Sequence, residues 1–503
     1  MLTAIAALAG CSRMPLCGPA AAVREAAIAW PFSSSDRALA SPPELRAEGG
    51  VVAASLDAVL DARGGPAFAY AGSIGVAPTL RAHPGDTIRL ALHNALPPGG
   101  MHAGVNIHFH GLTVSPNAPG DDSIGTIARP GQTVRYIVKI PAGQEPGLYW
   151  YHPHVHGTTF EQVAAGMSGA IVIEGIERRF PALAGMREQI LMIRDVPVRA
   201  HSMQAGSAPV VDDDNEGGDP CRPDPEFRTE VDGAARPFIT IRAGERQFFR
   251  VVNASAQRYF DLSIPGVSLQ LVALDGVALQ AYPGAAAVRA VSHVTVPPAG
   301  RAEFVVTGPR RRAVLRSGCV DSGPAGDAQP AAELADLGDP QAPDAGPYQP
   351  EPPPQTLHAA GAQRDEPLPE PARRRTLRLT EDARHFFING RTYDPAGRPA
   401  IVARAGTAEV WTILNDTEEV HAFHVHQVHF AVESIDGKAP AYRAWLDVVS
   451  VPSRIHHYGG STTPGSVTLL VDFRNPVIRG VFLYHCHILD HEDRGMMAKI
   501  AVL

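Results

Sequence analysis

Lysine is nearly absent from this 503-residue chain: Lys139, Lys438 and Lys499 are the only ones, and arginine carries the rest of the positive charge. That bias reads as genomic base composition rather than a phosphate-binding device. The formal net charge is −8, which gives no support to nucleic-acid binding, since that leans on basic patches. Methionine is sparse, nine residues with no cluster apart from Met496-Met497, and there are five cysteines. The apolar run before Cys11 is too short to span a bilayer. Residues 321–372 lack apolar periodicity; they are rich in Pro, Ala, Asp and Gly and read as an extended linker. With 45% hydrophobic residues, the remainder can bury several cores, and three domains is a normal division.

Against this background His485-Cys486-His487, followed by His491 and Met496, is the most informative stretch. A thiolate, imidazoles and a thioether within a dozen residues suit copper better than calcium, magnesium or structural zinc. Side chains alternate along a strand, so His485 and His487 share one face and Cys486 points to the other. Three further clusters carry an HxH pair: His108-Phe109-His110, His152-Pro153-His154 and His424-Val425-His426, the last preceded by His421 at opposite parity. Random placement of 21 histidines gives about one HxH pair, so a lone pair would mean little. Four pairs with matched parity bring eight imidazoles to one place, and leave His421 and His491 to join Cys486 and Met496.

At this point the chain resembles the multicopper oxidases, the family of laccases and bacterial copper-resistance oxidases. The resemblance rests on HFHG at 108–111, YHPH at 151–154, HAFHVH at 421–426, HCHILDHEDRGMM at 485–497, and Gly166-Met167-Ser168-Gly169. It implies four coppers per chain. The type 1 copper takes His421, Cys486, His491 and Met496, and the type 2 copper takes His108 and His424. The type 3 pair takes His110, His152 and His487 on one ion and His154, His426 and His485 on the other. Ala422 stands where the family usually has proline, which relaxes a turn and removes no ligand. Glu492 and Asp121 or Asp122 stand where the family has acidic proton relays; a turn residue after Pro119-Gly120 is an equal reading of Asp122. His156, His429 and His456-His457 read as non-ligands.

An internal repeat supports the architecture. Gly85 to Asn94, Gly244 to Asn253 and Gly406 to Asn415 each enclose one strand-like run, and Gly131, Gly300 and Gly465 open a second echo. Short strands between Gly and Pro turns indicate an all-β chain of sandwiches. The resemblance names them three cupredoxin-like Greek-key domains, over 46–178, 179–320 and 373–503, joined by the 321–372 linker. The copper motifs fall in the first and third, which makes the second a spacer setting the other two face to face.

The implied reaction oxidises a donor by one electron at a time at the type 1 copper and reduces O2 to water at the trinuclear cluster. A laccase-like donor, phenol or aromatic amine, is the first expectation, and the absence of a Met-rich insertion argues mildly against a dedicated Cu(I) route. The alternatives are a metallo-oxidase of Cu(I), Fe(II) or Mn(II), or a non-catalytic copper-binding scaffold. Residues 1–45 read as an export signal and tail. Leu8-Ala9-Gly10-Cys11 resembles a lipobox, which makes Cys11 the candidate lipid anchor in a bacterial periplasm or cell envelope. No basic residue precedes it, so an ordinary signal segment with an incidental cysteine is the competing reading. In an oxidising compartment Cys221 and Cys319 could pair, or both could be free thiols. Cys17 has no evident partner, and the acidic run 212–216 reads as a solvated loop.

Overall fold

The computed structural model describes residues 38–39, 41–99, 103–198, 219–341, 357–360 and 367–503. Cys11, Cys17 and the acidic run 212–216 lie outside these residues. The described chain forms three successive β-sandwiches, each of two sheets.

The repeat seen in the sequence is the frame of one sheet in every sandwich. Strands Thr87–Asn94, Arg246–Asn253 and Ala408–Asn415 each lie parallel to a long neighbour, respectively Val51–Leu60, Arg187–Pro197 and Pro371–Glu381. On the other side each pairs antiparallel with the second echo, Thr133–Lys139, Arg301–Thr307 or Gly465–Asp472. The repeated Asn has one job in all three copies. Asn94, Asn253 and Asn415 are fully buried, and their side-chain amides donate to backbone carbonyls of a neighbouring loop. Their Oδ1 atoms accept from the amide two residues on. A buried turn thus has its polar groups satisfied by one side chain, which a hydrophobic residue could not do.

The second sheet carries the histidines. In the first domain it runs Glu44–Arg46, Thr79–Ala82, Gly169–Ile173, Gly147–His152, His108–His110; in the third it runs Ile401–Ala403, Met497–Val502, Gly480–Cys486, His421–Val425, Val448–Val451. Register places His108 opposite His152, His424 opposite His485, and Phe423 opposite Cys486. Each sandwich has its own apolar core. A separate cluster including Leu148, Trp150, Met192 and Val252 welds the first domain to the second. Val163, Ala256 and Leu489 meet where all three domains touch.

Two boundaries differ from the sequence reading. The 321–372 segment is not all linker: Ala332–Gly338 is an inner strand of the second domain, between Phe238–Thr240 and Ala313–Gly318. Leu334, Ala335 and Leu337 are buried. Pairing on both edges buries this short run, and its few apolar residues were hidden within Pro- and Asp-rich composition. The 1–45 tail likewise ends early, because Glu44–Arg46 is a strand parallel to Thr79–Ala82 and Leu39 donates to Phe238 O of the second domain.

Candidate metal centre

Cys486 ends the strand Gly480–Cys486, and its side chain turns into the core of the third domain. Its Sγ lies 3.6 Å from His421 Nδ1 and 3.7 Å from His491 Nδ1, and the two nitrogens are 3.1 Å apart. The point equidistant from these three atoms is roughly 2.0 Å from each, the length of a metal–imidazole bond. Met496 is fully buried in the same core, and its carbonyl accepts from the Cys486 amide at 3.0 Å. Burial pushes the Cys486 thiol up, so a thiolate there needs a cation beside it. Phe386 stacks on the His491 ring at 4.0 Å.

The other eight histidines converge between the first and third domains. His154, His426 and His485 aim their Nε2 atoms at one another at 3.1–3.3 Å, and His485 Nδ1 donates to Cys486 O at 2.9 Å. The rings of His110, His152 and His487 lie 5.1–5.7 Å apart, and His108 faces His424 across the domain boundary at 6.0 Å. Several buried ring nitrogens here lack hydrogen-bond partners: Nε2 of His108, His152 and His424, Nδ1 of His110 and His154, and both nitrogens of His487. Each such buried orphan costs about 1–3 kcal/mol. Burial pushes His110, His152, His424, His426 and His487 well below the usual imidazole range, and His154 and His421 down to about 3. Neutral imidazoles are the form a metal binds. Converging lone pairs on neutral, buried rings fit cations and repel one another without them, so the donor set suits copper.

The carboxylates sort by position. Glu492 is fully buried, with Oε2 3.0 Å from His485 Nδ1 and Oε1 3.7 Å from His154 Nε2. Burial raises its pKa, but His154 and His485 outweigh that and hold the carboxyl well below the usual range. Asp121 accepts from His108 Nδ1 at 2.9 Å, from the Phe109 amide and from Gln427 Nε2. Asp122, by contrast, accepts from Ile124 N, Gly125 N and Thr126 Oγ1, so it is the turn residue and Asp121 is the one at the cluster.

His156 meets Tyr393 edge-on, with ring centroids 4.9 Å apart, and exposed His456 pairs with Glu418. Sequence reasoning missed four residues at these centres. Gln427, left-handed at φ +58, reaches Asp121. Glu419 Oε1 lies 3.4 Å from His491 Nε2. Asp447 accepts from His110 Nε2, and Arg301 pairs with Asp447. Only Gln427 and Glu419 adjoin a histidine motif; no local pattern marks the other two.

Comparison with known proteins agrees with this geometry. Three multicopper oxidase family models match residues 61–178, 201–310 and 365–503, which together span most of the chain. The multicopper oxidase of Staphylococcus aureus is 26% identical over 444 residues, 86% of this chain and 83% of that protein. The solved structure of a multicopper oxidase from Campylobacter jejuni, described as a metallo-oxidase, superposes with a TM-score of 0.72 at 23% identity, covering 93% of this chain and 95% of that one. A laccase-like multi-copper oxidase from Ochrobactrum sp. gives 0.68 at 22% identity, covering 92% and 100%. Sandwich repeat, converging histidines and family matches lead to one conclusion: the chain belongs to the multicopper oxidases, copper-dependent oxidoreductases built from three cupredoxin-like domains.

Proposed function

We propose that the protein couples one-electron oxidation of a donor beside His491 to four-electron reduction of O2 to water at the eight-histidine centre. His421, Cys486, His491 and Met496 hold the type 1 copper, and His108 and His424 the type 2. His110, His152 and His487 hold one type 3 ion, and His154, His426 and His485 the other. Bound there, copper supplies one-electron transfer at the first centre and a multi-electron store at the second. The observation that carries the reading is the His485-Cys486-His487 triplet. One backbone segment lends its thiol to one centre and its flanking imidazoles to the other, so the link between the two jobs is covalent. Glu492 and Asp121 hold carboxylates against His485, His154 and His108, where protons for water formation are passed. The three interlocked domains keep the histidines out of solvent, which blocks escape of partly reduced oxygen.

The donor could be a phenol or aromatic amine, or a metal cation. The surroundings of His491 favour the cation. Its side chain is 5% exposed, and Nε2 faces Glu419 rather than an open aromatic cleft. Glu419 is itself buried near Glu381, Asp327 and Asp490. Burial and these neighbours push the Glu419 carboxyl well above the usual carboxylate range, so a cation that displaces its proton relieves the crowding, which a neutral phenol cannot do. The C. jejuni neighbour is described as a metallo-oxidase, in line with this reading. Export to an oxidising compartment is supported by the Cys221–Cys319 disulfide.

Oxygen uptake by purified, copper-loaded protein with a phenol, Cu(I) and Fe(II) in parallel tests both parts. Uptake with the cations above the phenol is expected. A silent enzyme carrying four coppers would refute the oxidase reading, and uptake with the phenol alone would refute the choice of donor.

A further inference from the structure

Arg301 opens a strand of the second domain, yet its side chain is fully buried at the junction of all three. Every guanidinium N–H is used. Nε donates to Leu148 O of the first domain at 3.3 Å. Nη1 donates to Asp447 Oδ1 at 2.7 Å and Ala299 O at 3.2 Å, and Nη2 to Asp447 Oδ2 at 2.5 Å and Asp275 O at 2.7 Å. The two parallel bonds fix the plane of the Asp447 carboxylate, which a lysine could not do. Asp275 holds Asp447 from the backbone side, its Oδ2 accepting from the amides of Asp447 and Val448 at 3.1 and 3.3 Å.

Asp447, so fixed, reaches the first domain. Its Oδ1 accepts from His110 Nε2 at 3.1 Å. A neutral imidazole donates from one nitrogen and keeps a lone pair on the other. His108, His152, His424 and His485 all donate from Nδ1. His110 is turned the other way: it donates from Nε2, and Nδ1 is the atom left without a partner. Gly111 makes room for this arrangement, since a Cβ there would collide with Arg301 Nη2 and lie 2.7 Å from Asp447 Oδ2.

We propose that Arg301 is a positioning residue for oxygen reduction. Through Asp447 it holds His110 in the Nε2–H tautomer with Nδ1 turned to the cluster, so the second domain builds part of the metal centre instead of only spacing the other two. The inference rests on His110 being a type 3 ligand, as in the function proposed above. Arg301→Lys keeps the charge and loses the fork.

The test uses the copper-loaded full chain, measuring copper per chain, the blue band, the copper visible by electron paramagnetic resonance, and oxygen uptake. In the native protein an antiferromagnetically coupled type 3 pair is expected to be spin-silent, which would leave half of the copper visible. In Arg301→Lys the visible share is expected to rise above half or total copper to fall, with oxygen uptake down about tenfold or more and the blue band unchanged. An unchanged visible share and uptake would overturn the proposal. So would equal loss of the blue band and melting temperature, which marks a purely structural role. Should Arg301→Lys not fold, Asp447→Asn, of the same shape, carries the same test, and failure of both to fold also decides for a structural role. A native protein with no spin-silent pair would instead refute the ligand assignment beneath it.

Discussion

Cys221 and Cys319 form a disulfide with Cα atoms 5.4 Å apart and a sequence separation of 98. The loop it closes contains most strands of the second domain. On the chain-entropy account, closing a loop of that length stabilises by at most about 4.7 kcal/mol, and measured values are typically about 2–4. Both residues are at least partly exposed, so Cys221→Ser/Cys319→Ser removes the cross-link with little change in packing. For an unfolding unit of this size, about 3 kcal/mol corresponds to a fall in melting temperature of roughly 6–12 °C. Calorimetry of the copper-free double variant against the copper-free parent measures it without interference from metal release. The bridge also has a local effect. Beyond Cys319 the chain folds onto the third domain, with Ser322 O accepting from Val420 N and Ala325 N donating to Glu418 O, next to His421. Hydrogen exchange at Val420 and Ala325 should therefore accelerate in the same variant. A fall of less than about 2 °C, with exchange unchanged, would refute the assignment of stabilisation to this bridge.

Cys486→Ser is expected to abolish the blue charge-transfer band while the eight-histidine centre keeps its copper; a surviving blue colour would refute the type 1 assignment. His108→Ala should do the reverse, sparing the blue band and stopping oxygen uptake by the loaded enzyme. Glu419→Gln should raise the KM for Fe(II) about tenfold and leave a phenol's unchanged, and equal effects on both would remove Glu419 from donor recognition. Copper-free protein should lose stability in acid. His154 and His421 have native pKa values of about 3 against about 6.5 unfolded, so between those values unfolding takes up protons. Their contribution is present above about pH 6.5 and is lost as pH falls, at up to roughly 1.4 kcal/mol per pH unit for each ring. A melting temperature flat from pH 7 to 5 would contradict this.

The repeat and the histidine parity were legible in sequence because both are local. A nine-residue interval from Gly to Asn records a turn, a strand and a buried turn, and the structure pairs those strands with the second echo in each domain. Asp121 and Asp122 could not be separated that way. They are adjacent, and only the path of the turn shows which carboxylate meets His108. The strand Ala332–Gly338 was missed because its stability comes from two flanking strands, not from its own composition.

Spacing by two along a strand determined, from sequence alone, which histidines share a face and that Cys486 faces away from its neighbours. Such geometry follows from backbone alternation and needs no partner. Tertiary structure alone decided which nitrogen of each ring is free, and that an arginine of the second domain helps to decide it. His110 and Asp447 are 337 positions apart, and Arg301 and Asp447 are 146 apart. A hydrogen bond between such distant groups exists only once three cores have folded and docked, and no local pattern carries its trace.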